Sequence, residues 1–471
     1  MILISPPQLN ATANKIIHLL QNRISQTQIH QIKTQLILLN LHSNSTIAHH
    51  FITACQTPSL LHSTLPLFLT HLSNPHVFTC NTLLKAFSHS QIANIPYSIY
   101  SHMHHNSISP NNYTFPLVFK SLSDFKDFKQ GQCVQTHVIK MGYSCDIYVL
   151  NSLLDLYASC GFMDECRKVF DEMPLRDVVS WTILIVGYRN DEHYGDALIA
   201  FEQMQYAGVL PNRVTMVNVL GACASFGAIE MGCWIHDFVR RNGWEVDVIL
   251  GTSLIDMYAK CGRIDEGLNV FRSMKENNIF TWNAVIRGLA FARCGKEAVR
   301  WFNYMEQEGV KPDEVTLVNV LSACSHSGLI DIGKQIFDLL IIGKYGCLPN
   351  AKHYACMIDL YARLGYVDEA FKFIRDMPFE PTKAMWGSLL ACCKTNKNLE
   401  LSEYAARKLV ELEPDNSAYY VVLSNLYSEI GRWTDAAKVR EFMRDKGLKK
   451  DMGSSSAQSL MQKYDKKLLV L

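Results

Sequence analysis

A phrase of sixteen residues occurs three times in this 471-residue chain at nearly equal spacing. DLYASCGFMDECRKVF begins at Asp155, DMYAKCGRIDEGLNVF at Asp256 and DLYARLGYVDEAFKFI at Asp359, which gives spacings of 101 and 103 residues. A second series, PLVFKS, VNVLGA and VNVLSA, recurs with the same period from Pro116 and Val217 onward. A fixed internal period indicates a repeat architecture, in which each repeat stacks on the next.

Each period divides into three repeats of different length. The boundaries that satisfy all the spacings are 77–111, 112–146, 147–177, 178–212, 213–247, 248–278, 279–313, 314–350 and 351–382. The first two members of each triplet have 35 to 37 residues, and the third has 31 or 32. A tetratricopeptide array would repeat every 34 residues, so the unequal lengths argue against that fold.

Each repeat has the pattern of two helices. In residues 279–313, apolar side chains from Trp282 to Leu289 follow a period near 3.6, and Cys294-Gly295 interrupts them. A second apolar stripe ends at Gly309, and Pro312 cannot continue a helix. A single αα-hairpin cannot bury its own apolar face, so the sequence predicts an all-α fold, a right-handed α-solenoid of stacked hairpins with a long groove.

Charge and cysteine usage narrow the class of protein. The formal net charge is +1, so no strongly basic field indicates a nucleic-acid partner, and no Asp or Glu precedes Asp124. Fifteen cysteines are scattered without CxxC pairs, as expected of reduced, mostly buried thiols.

The acid-free, hydroxyl-containing residues 1–24 are interpreted as a possible organelle transit segment, with an ordinary cytosolic N-terminus as the alternative. The sequence predicts no transmembrane helix.

The triplet of lengths resembles the plant pentatricopeptide repeat proteins of the PLS class. The strings that carry the resemblance are NTLLKAF, GDALIAFEQMQYAGVLPN, DMYAKCGRIDEGLNVF and HYACMIDLYARLGYVDEAFKFIRDMPFEPT. Residues 383–450 resemble the family's type E motif region, residues 25–76 resemble degenerate repeats, and residues 451–471 form a short C-terminal tail. The resemblance implies an E-subgroup protein that binds single-stranded RNA, one base per repeat.

The resemblance also assigns the base-reading residues to the fifth and the last, or closing, position of five repeats. We call 77–111, 147–177, 178–212, 248–278 and 279–313 the reading repeats. Their fifth and closing residues are Asn81 with Asn111, Asn151 with Asp177, Thr182 with Asn212, Thr252 with Asn278, and Asn283 with Asp313. The second residues, which would stack on bases, are Phe78, Tyr148, Val179, Ile249 and Phe280. All five are apolar or aromatic, as stacking requires.

The family's code converts these pairs into a target sequence. Asn with Asp favours U, Asn with Asn a pyrimidine, and Thr with Asn favours A. The middle repeats, 112–146, 213–247 and 314–350, carry Pro116, Val217 and Val318 at the fifth position, and none of these side chains can hydrogen-bond a base. The implied ligand is 5′-Y-N-U-A-N-A-U-N-N-3′. An alternative remains open for each polar residue, because Asn, Asp and Thr near a helix start are common N-caps.

The motifs of nucleotide deamination are not found in the sequence. C-to-U editing requires a zinc-bound water held by an HxE segment and a PCxxC segment, and the chain contains neither. Cys392-Cys393 and the histidines at 102, 104 and 105 are interpreted as packing and as a solvated helix end, so neither a metal site nor a cofactor is predicted. We therefore expect a non-enzyme, with catalysis supplied by a partner.

The expected role is site recognition in organellar C-to-U RNA editing. A deaminase-domain (DYW-type) protein and other editing factors would dock on residues 383–450, and no membrane contact is expected. The possible transit segment, residues 1–24, favours the mitochondrion over the plastid. One alternative with the same fold is an RNA stability or splicing factor without editing. Another, from a different class, is a tetratricopeptide-like protein scaffold that is indifferent to RNA.

Overall fold

The computed structural model describes residues 6–21, 25–39, 41, 44–55, 60–61, 65, 77–88 and 95–448. Within these residues the regular secondary structure consists of 25 α-helices, with no β-strand. The chain divides into two compact units, residues 1–231 and 232–471, and the division falls within helix α13 (Ile229–Arg241). The predicted tail 451–471, and parts of the predicted segments 1–24 and 25–76, lie outside the described residues.

The first unit contains twelve complete described helices. They are α1 (Pro6–Leu20), α2 (Gln26–Leu38), α3 (Ser45–Ala54), α4 (Val77–Ser88), α5 (Ile95–His105), α6 (Thr114–Asp124), α7 (Phe128–Lys140), α8 (Ile147–Ser159), α9 (Met163–Glu172), α10 (Val178–Asn190), α11 (Tyr194–Tyr206) and α12 (Arg213–Phe226).

The second unit also contains twelve complete helices in its described part. They are α14 (Val248–Lys260), α15 (Ile264–Ser273), α16 (Ile279–Phe291), α17 (Gly295–Gln307), α18 (Glu314–Ser327), α19 (Ile330–Ile341), α20 (Ala351–Arg363), α21 (Val367–Asp376), α22 (Lys383–Thr395), α23 (Leu399–Leu412), α24 (Ser417–Glu429) and α25 (Trp433–Asp445).

The helices pack as hairpins that stack on their neighbours. In the second unit, α16 packs against its own partner α17, against α14 before it and against α18 after it. In the first unit, α8 packs in the same way against α9, α6 and α10. First helices therefore form one layer and second helices another within each unit, which confirms the all-α fold of stacked αα-hairpins predicted from the sequence.

The first helix α16 shows how thoroughly a first helix is buried. On α16, Trp282, Val285, Ile286 and Leu289 are each at most 3% exposed, so the predicted apolar stripe is the buried face. Burying a side chain of this size contributes roughly 1.5–3 kcal/mol relative to leaving it in water. Because the partners come from both adjacent hairpins, a repeat gains much of this energy only within the array.

Two glycines allow first helices of neighbouring repeats to come close. A Cβ placed on Gly288 of α16 would lie 2.7 Å from Cβ of Ala259 on α14. A Cβ on Gly187 of α10 would lie 2.9 Å from Cβ of Ala158 on α8. Both distances are too short for real carbon atoms, so the register of these helix pairs depends on glycine at these positions.

The turn inside a hairpin uses a residue in the left-handed region of backbone conformation. Gly262, between α14 and α15, has φ of 77°, which glycine adopts without steric cost. The next hairpin has Arg293 at the corresponding point, with φ of 57°. A side chain in this conformation is strained, so the two hairpins make the same turn at different cost.

All fifteen cysteines are free thiols. Burial raises the pKa of Cys166 and of Cys324 to about 12, so these two thiols are protonated packing groups. In the described part of the chain, no helix combines the length and the apolar character needed to cross a bilayer.

Candidate nucleic-acid interface

The closing residues of the reading repeats cap the first helix of the following repeat. Asp177, Asn212, Asn278 and Asp313 are the N-caps of α10, α12, α16 and α18, in that order. The Oδ1 atom of Asp313, for example, accepts the backbone N–H of Thr316 at 2.8 Å. Asn111 Oδ1 accepts the N–H groups of Tyr113 and Thr114 just before α6, at 3.1 Å each. The capping interpretation is therefore correct for four of the five closing residues, while Asn111 binds N–H groups at the start of α6 without being its N-cap.

The fifth residues lie inside their helices and are not N-caps. In three reading repeats the fifth residue is Asn, and its amide donates to the closing residue. Nδ2 of Asn81 lies 3.0 Å from Oδ1 of Asn111, and Nδ2 of Asn283 lies 3.1 Å from Oδ1 of Asp313. The pair Asn151 and Asp177 has the same bond at 3.3 Å. The structure thus brings together the two members of these three predicted pairs.

The two pairs with Thr at the fifth position are arranged differently. Oγ1 of Thr182 lies 2.7 Å from Oγ1 of Thr215, which in turn donates to Oδ1 of Asn212 at 3.0 Å. A hydroxyl therefore links this pair. The hydroxyls of Thr182 and Thr252 both donate to the carbonyl four residues earlier, at 2.6 Å, but no direct hydrogen bond joins Thr252 to Asn278.

The second residues of the reading repeats expose apolar surface next to these polar pairs. Phe280 and Ile249 are each 66% exposed and Tyr148 is 75% exposed, while Phe78 and Val179 are about half exposed. Each lies three residues before a fifth residue, one turn away on the same helix. The arrangement offers an apolar surface beside a polar pair in each reading repeat, which suits a flat group with hydrogen-bonding edges.

Some of these residues, from the first two reading repeats, line an open groove of about 1410 Å³ in the first unit. Its walls include Phe78, Asn81 and Asn111 of the first reading repeat, and Tyr148 of the second. The middle repeat between them contributes Tyr113 and Pro116, and α3 contributes His49 and Ile52. The groove is mostly apolar with a few amides, as expected of a site that binds planar ligands.

The two aspartates that close reading repeats, Asp177 and Asp313, remain ionised at neutral pH. Burial alone would raise the pKa of Asp313, but hydrogen bonds from the backbone and hydroxyl of Thr316, from Asn283 and from the backbone of Val315 outweigh it and lower that pKa. Partial burial is likewise outweighed at Asp177 by bonds from Ser180, Asn151 and Val179, so its pKa is lowered too. An ionised carboxylate only accepts hydrogen bonds, whereas the Asn closing the other reading repeats also donates.

Several charged side chains one turn beyond the fifth residues are paired with one another. Asp256 of α14 accepts from Arg287 of α16 at 2.7 Å and lies 3.0 Å from Nζ of Lys260. Lys120 lies 3.2 Å from Asp124 and 3.9 Å from Asp155. These cations are partly neutralised within the chain, which weakens their attraction for a polyanion.

Two groups of residues at this surface were missed in the sequence analysis. The second residues of the middle repeats, Tyr113, Val214 and Val315, are 71%, 59% and 51% exposed, like those of the reading repeats. The third residues after the closing positions also carry recurrent hydroxyls, on Thr114, Ser180, Thr215, Thr281 and Thr316. Extending the 101-residue alignment to every position of the repeat would have revealed both groups.

The middle repeats lack the pairing seen in the reading repeats. Pro116, Val217 and Val318 offer no side-chain hydrogen bond. In two of these repeats the closing residue is bonded to the first residue instead: Asn112 donates to Oδ2 of Asp146 at 3.2 Å, and Asn350 donates to Oε2 of Glu314 at 3.1 Å.

The side chains considered for metal binding are placed as follows. His104 and His105 are exposed at the end of α5, and Cys392 and Cys393 are buried in α22. Across the described ranges, no three His, Cys, Asp or Glu side chains come close enough together to hold a metal ion.

The chain matches two kinds of sequence motif found in known proteins. Residues 148–178, 179–209 and 252–279 match the PPR repeat, as do residues 345–378, and residues 277–326 match the PPR repeat family. Residues 396–458 match the E motif, which overlaps the predicted region 383–450.

Two plant proteins and one solved structure are similar over most of the chain. A pentatricopeptide repeat-containing protein of Arabidopsis thaliana is 36% identical over 457 residues, which covers 89% of this chain and 86% of the relative. Another from the same plant, named as chloroplastic/mitochondrial, is 38% identical over 400 residues, covering 82% of this chain and 62% of the relative.

The solved structure is the maize pentatricopeptide repeat protein PPR10 in complex with an 18-nucleotide psaJ RNA element. It superposes with a TM-score of 0.69 at 17% identity, covering 86% of this chain and 62% of that chain. At this identity the likeness concerns the fold, which is that of an α-helical repeat solenoid.

Proposed function

Because the chain belongs to the plant pentatricopeptide repeat family, E subgroup, we propose that it binds single-stranded organellar RNA and marks a cytidine for C-to-U editing. The observation that carries the proposal is the recurrence in five repeats of polar fifth and closing residues beside one exposed apolar side chain, with the two polar residues hydrogen-bonded to each other in three of the repeats. Each such site can hold the edge of a base with the pair and its face with the apolar side chain. The proposed target is 5′-Y-N-U-A-N-A-U-N-N-3′.

The editing role rests on the E motif. In the proposal, residues 383–450 recruit a DYW-type deaminase and other editing factors, while the repeats select the site. The final repeat 351–382 would lie four nucleotides upstream of the edited cytidine. The relative named as chloroplastic/mitochondrial supports an organellar location, and the mitochondrion is our first choice, with the plastid as the alternative.

Exchanging the base-reading pair of one repeat tests the RNA-binding part of the proposal in vitro. The double variant Asn283→Thr with Asp313→Asn converts the pair at the seventh nucleotide from the U type to the A type. We expect its preference for A over U there to rise about five- to thirtyfold over wild type, since one or two hydrogen bonds contribute roughly 1–2 kcal/mol. Binding of nonamers that differ only at that nucleotide measures the change.

A matched control makes the same chemical changes away from the proposed interface. Asn269→Thr with Asp265→Asn alters two exposed residues of the second helix α15. This variant should bind like wild type. An unchanged preference in the Asn283 and Asp313 variant would refute the base assignment, and indifference of wild type to RNA would favour the protein-scaffold alternative.

Sequencing of organellar RNA tests the editing part. In plants that lack the protein, we expect one or a few cytidines to lose conversion, each preceded by the proposed target in the stated register. Complete editing, with one transcript altered in abundance or splicing, would instead support the RNA stability or splicing alternative. Comparing mitochondrial with plastid RNA also tests the proposed location.

A further inference from the structure

The third position after a closing residue distinguishes reading repeats from middle repeats. After each of the five reading repeats, this position holds Ser or Thr. After the three middle repeats it holds Val149, Leu250 or His353. All of these positions lie in the first turn of a helix, so helix formation alone does not explain why a hydroxyl follows only the reading repeats.

Three of these hydroxyls reach back to the Asn at the fifth position of the preceding repeat. Oγ1 of Thr316 donates to Oδ1 of Asn283 at 2.7 Å, and Oγ of Ser180 donates to Oδ1 of Asn151 at 2.7 Å. Thr114 makes the same bond to Asn81 at 2.8 Å. Thr316 and Ser180 are fully buried, so water does not compete for these bonds.

The surrounding bonds restrict the hydroxyl to two acceptors. Oγ1 of Thr316 accepts the backbone N–H of Asp313 at 3.2 Å, and Oγ of Ser180 accepts that of Asp177 at 3.3 Å. The single hydroxyl hydrogen is therefore shared between Oδ1 of the Asn and Oδ1 of the Asp, 2.8 Å away for Thr316. The hydroxyl acts as a donor toward the Asn amide.

This donor and the carboxylate of the closing Asp together fix which end of the amide faces which partner. Asn283 has its oxygen on the hydroxyl of Thr316 and its nitrogen on the carboxylate of Asp313. A 180° flip would place the amide oxygen against a carboxylate oxygen and would turn the hydroxyl from donor to acceptor, so the hydrogen bond to Asp313 would be lost. The amide can then present its second N–H and its second lone pair to a ligand in one order only.

We propose that Thr316 and Ser180 are positioning residues that hold the amides of Asn283 and Asn151 in the orientation that separates uracil from cytosine. The inference rests on the proposed function. Uracil has a donor at N3 between two carbonyl acceptors, whereas cytosine has an acceptor at N3 and a donor at its exocyclic amine. An amide free to flip can pair with either base, whereas an amide held in one orientation discriminates between them.

The chain offers a control in which capping and positioning are separate. Thr281 occupies the same place after Asn278 and is fully buried, and its hydroxyl accepts the backbone N–H of Asn278 at 2.9 Å. Its own hydrogen is donated to the carbonyl of Asn278 at 2.6 Å and not to Thr252. Thr281→Val therefore removes a cap hydroxyl without touching the amide of Asn283.

The test measures discrimination between U and C at the seventh nucleotide of the proposed target. Full-length wild type, Thr316→Val, Thr316→Ser and Thr281→Val are titrated with two nonamers that differ only there. We expect Thr316→Val to reduce the preference for U about fivefold, the factor of one net hydrogen bond. Thr316→Ser should keep the wild-type preference for U, because Ser180 makes the same bonds in its own repeat. Thr281→Val should also leave the preference unchanged. Thermal unfolding shows whether the two Val variants lose equal stability.

A second measurement needs no RNA. With ¹⁵N-asparagine labelling, the side-chain amide of Asn283, assigned by its loss in Asn283→Asp, should give two distinct, slowly exchanging protons in wild type and averaged or fast-exchanging protons in Thr316→Val. Unchanged amide signals, or a U preference that survives in Thr316→Val, would overturn the inference. If wild type has no U preference, the base assignment fails and the reading role fails with it, while the amide signals still report whether Thr316 orients Asn283.

Discussion

Asp313 closes one repeat and caps the first helix of the next, and its Oδ1 atom accepts three hydrogen bonds from within the chain. The donors are the backbone and hydroxyl of Thr316 and the amide of Asn283. A residue with this many partners is rigid before any ligand arrives, which reduces the entropy lost on binding.

At the residue scale, Asp177 and Asp313 are expected to make part of the free energy of unfolding depend on pH in the acid range. The pKa values of Asp177 and Asp313 are lowered from the ordinary value of 3.8, so their stabilising effect is fully present above that value. The effect is lost as the pH falls through the lowered folded-state pKa. Asp177→Asn with Asp313→Asn should change stability at pH 7 by no more than about 1 kcal/mol, because Asn is also a good N-cap.

The double variant should therefore lose less stability than wild type in acid. Urea denaturation of both proteins from pH 7 down to about pH 2.5 measures the difference, with the transition itself expected below the ordinary Asp pKa. Parallel curves for the two proteins over this range would show that the two carboxylates do not titrate as described.

A second prediction at this scale concerns Phe280. Replacing it with Ala should weaken RNA binding by roughly 1–3 kcal/mol, the value of one base–aromatic stack. Stability should change little, because the side chain is 66% exposed. Phe291→Ala is the matched control, since Phe291 ends the same helix and is 67% exposed. Equal loss of binding in both variants would mean that Phe280 has no special role.

The fifth, closing and second positions were assigned from the family resemblance, and their reading of bases stays a prediction. The bonds of the buried hydroxyls were not predicted, because a bond such as that from Thr316 to Asn283 joins residues 33 positions apart on the first helices of consecutive repeats. Such a contact depends on how two helices stack side by side, and the periodicity of one repeat does not contain that information.

At the scale of the helical hairpin, two turns with the same backbone conformation give opposite predictions. Arg293→Gly should raise the free energy of unfolding by about 1 kcal/mol, because a left-handed conformation costs a residue with a side chain roughly 1–2 kcal/mol. Gly262→Ala should lower it by a similar amount, because no atom lies within 4 Å of the added Cβ and only the backbone conformation is penalised.

Chemical denaturation of the two variants measures both changes. A loss of stability in Arg293→Gly would show that the arginine side chain makes a stabilising contact that outweighs its backbone strain. The presence of these hairpins could be predicted from the apolar stripes and the glycines, but the interruption predicted at Cys294-Gly295 lies beside the left-handed residue Arg293, and Gly295 begins α17.

At the scale of the whole molecule, the charge balance predicts a weak dependence of RNA binding on salt. The net charge is +1, and cations such as Arg287 and Lys120 are already paired with aspartates. For single strands the logarithm of the binding constant falls with that of salt concentration at a slope of about −0.7 per neutralised phosphate. We expect a slope no steeper than about −2, which corresponds to three phosphates.

Titrations with the nonamer at several potassium chloride concentrations measure this slope. A much steeper slope would mean that these cations exchange their aspartates for phosphates on binding. The even charge balance was visible in the composition, but the pairing of Arg287 with Asp256 on a neighbouring helix required the structure.

The bond from Thr316 back to Asn283 matters for anyone who transplants repeats between proteins. A graft cut at 279 and 313 would carry Asn283 and Asp313 and leave their common hydroxyl donor in the host. A graft that ends after 316 moves the three side chains together. The segment that should be exchanged to change a base preference therefore extends beyond the helical hairpin into the first turn of the following helix.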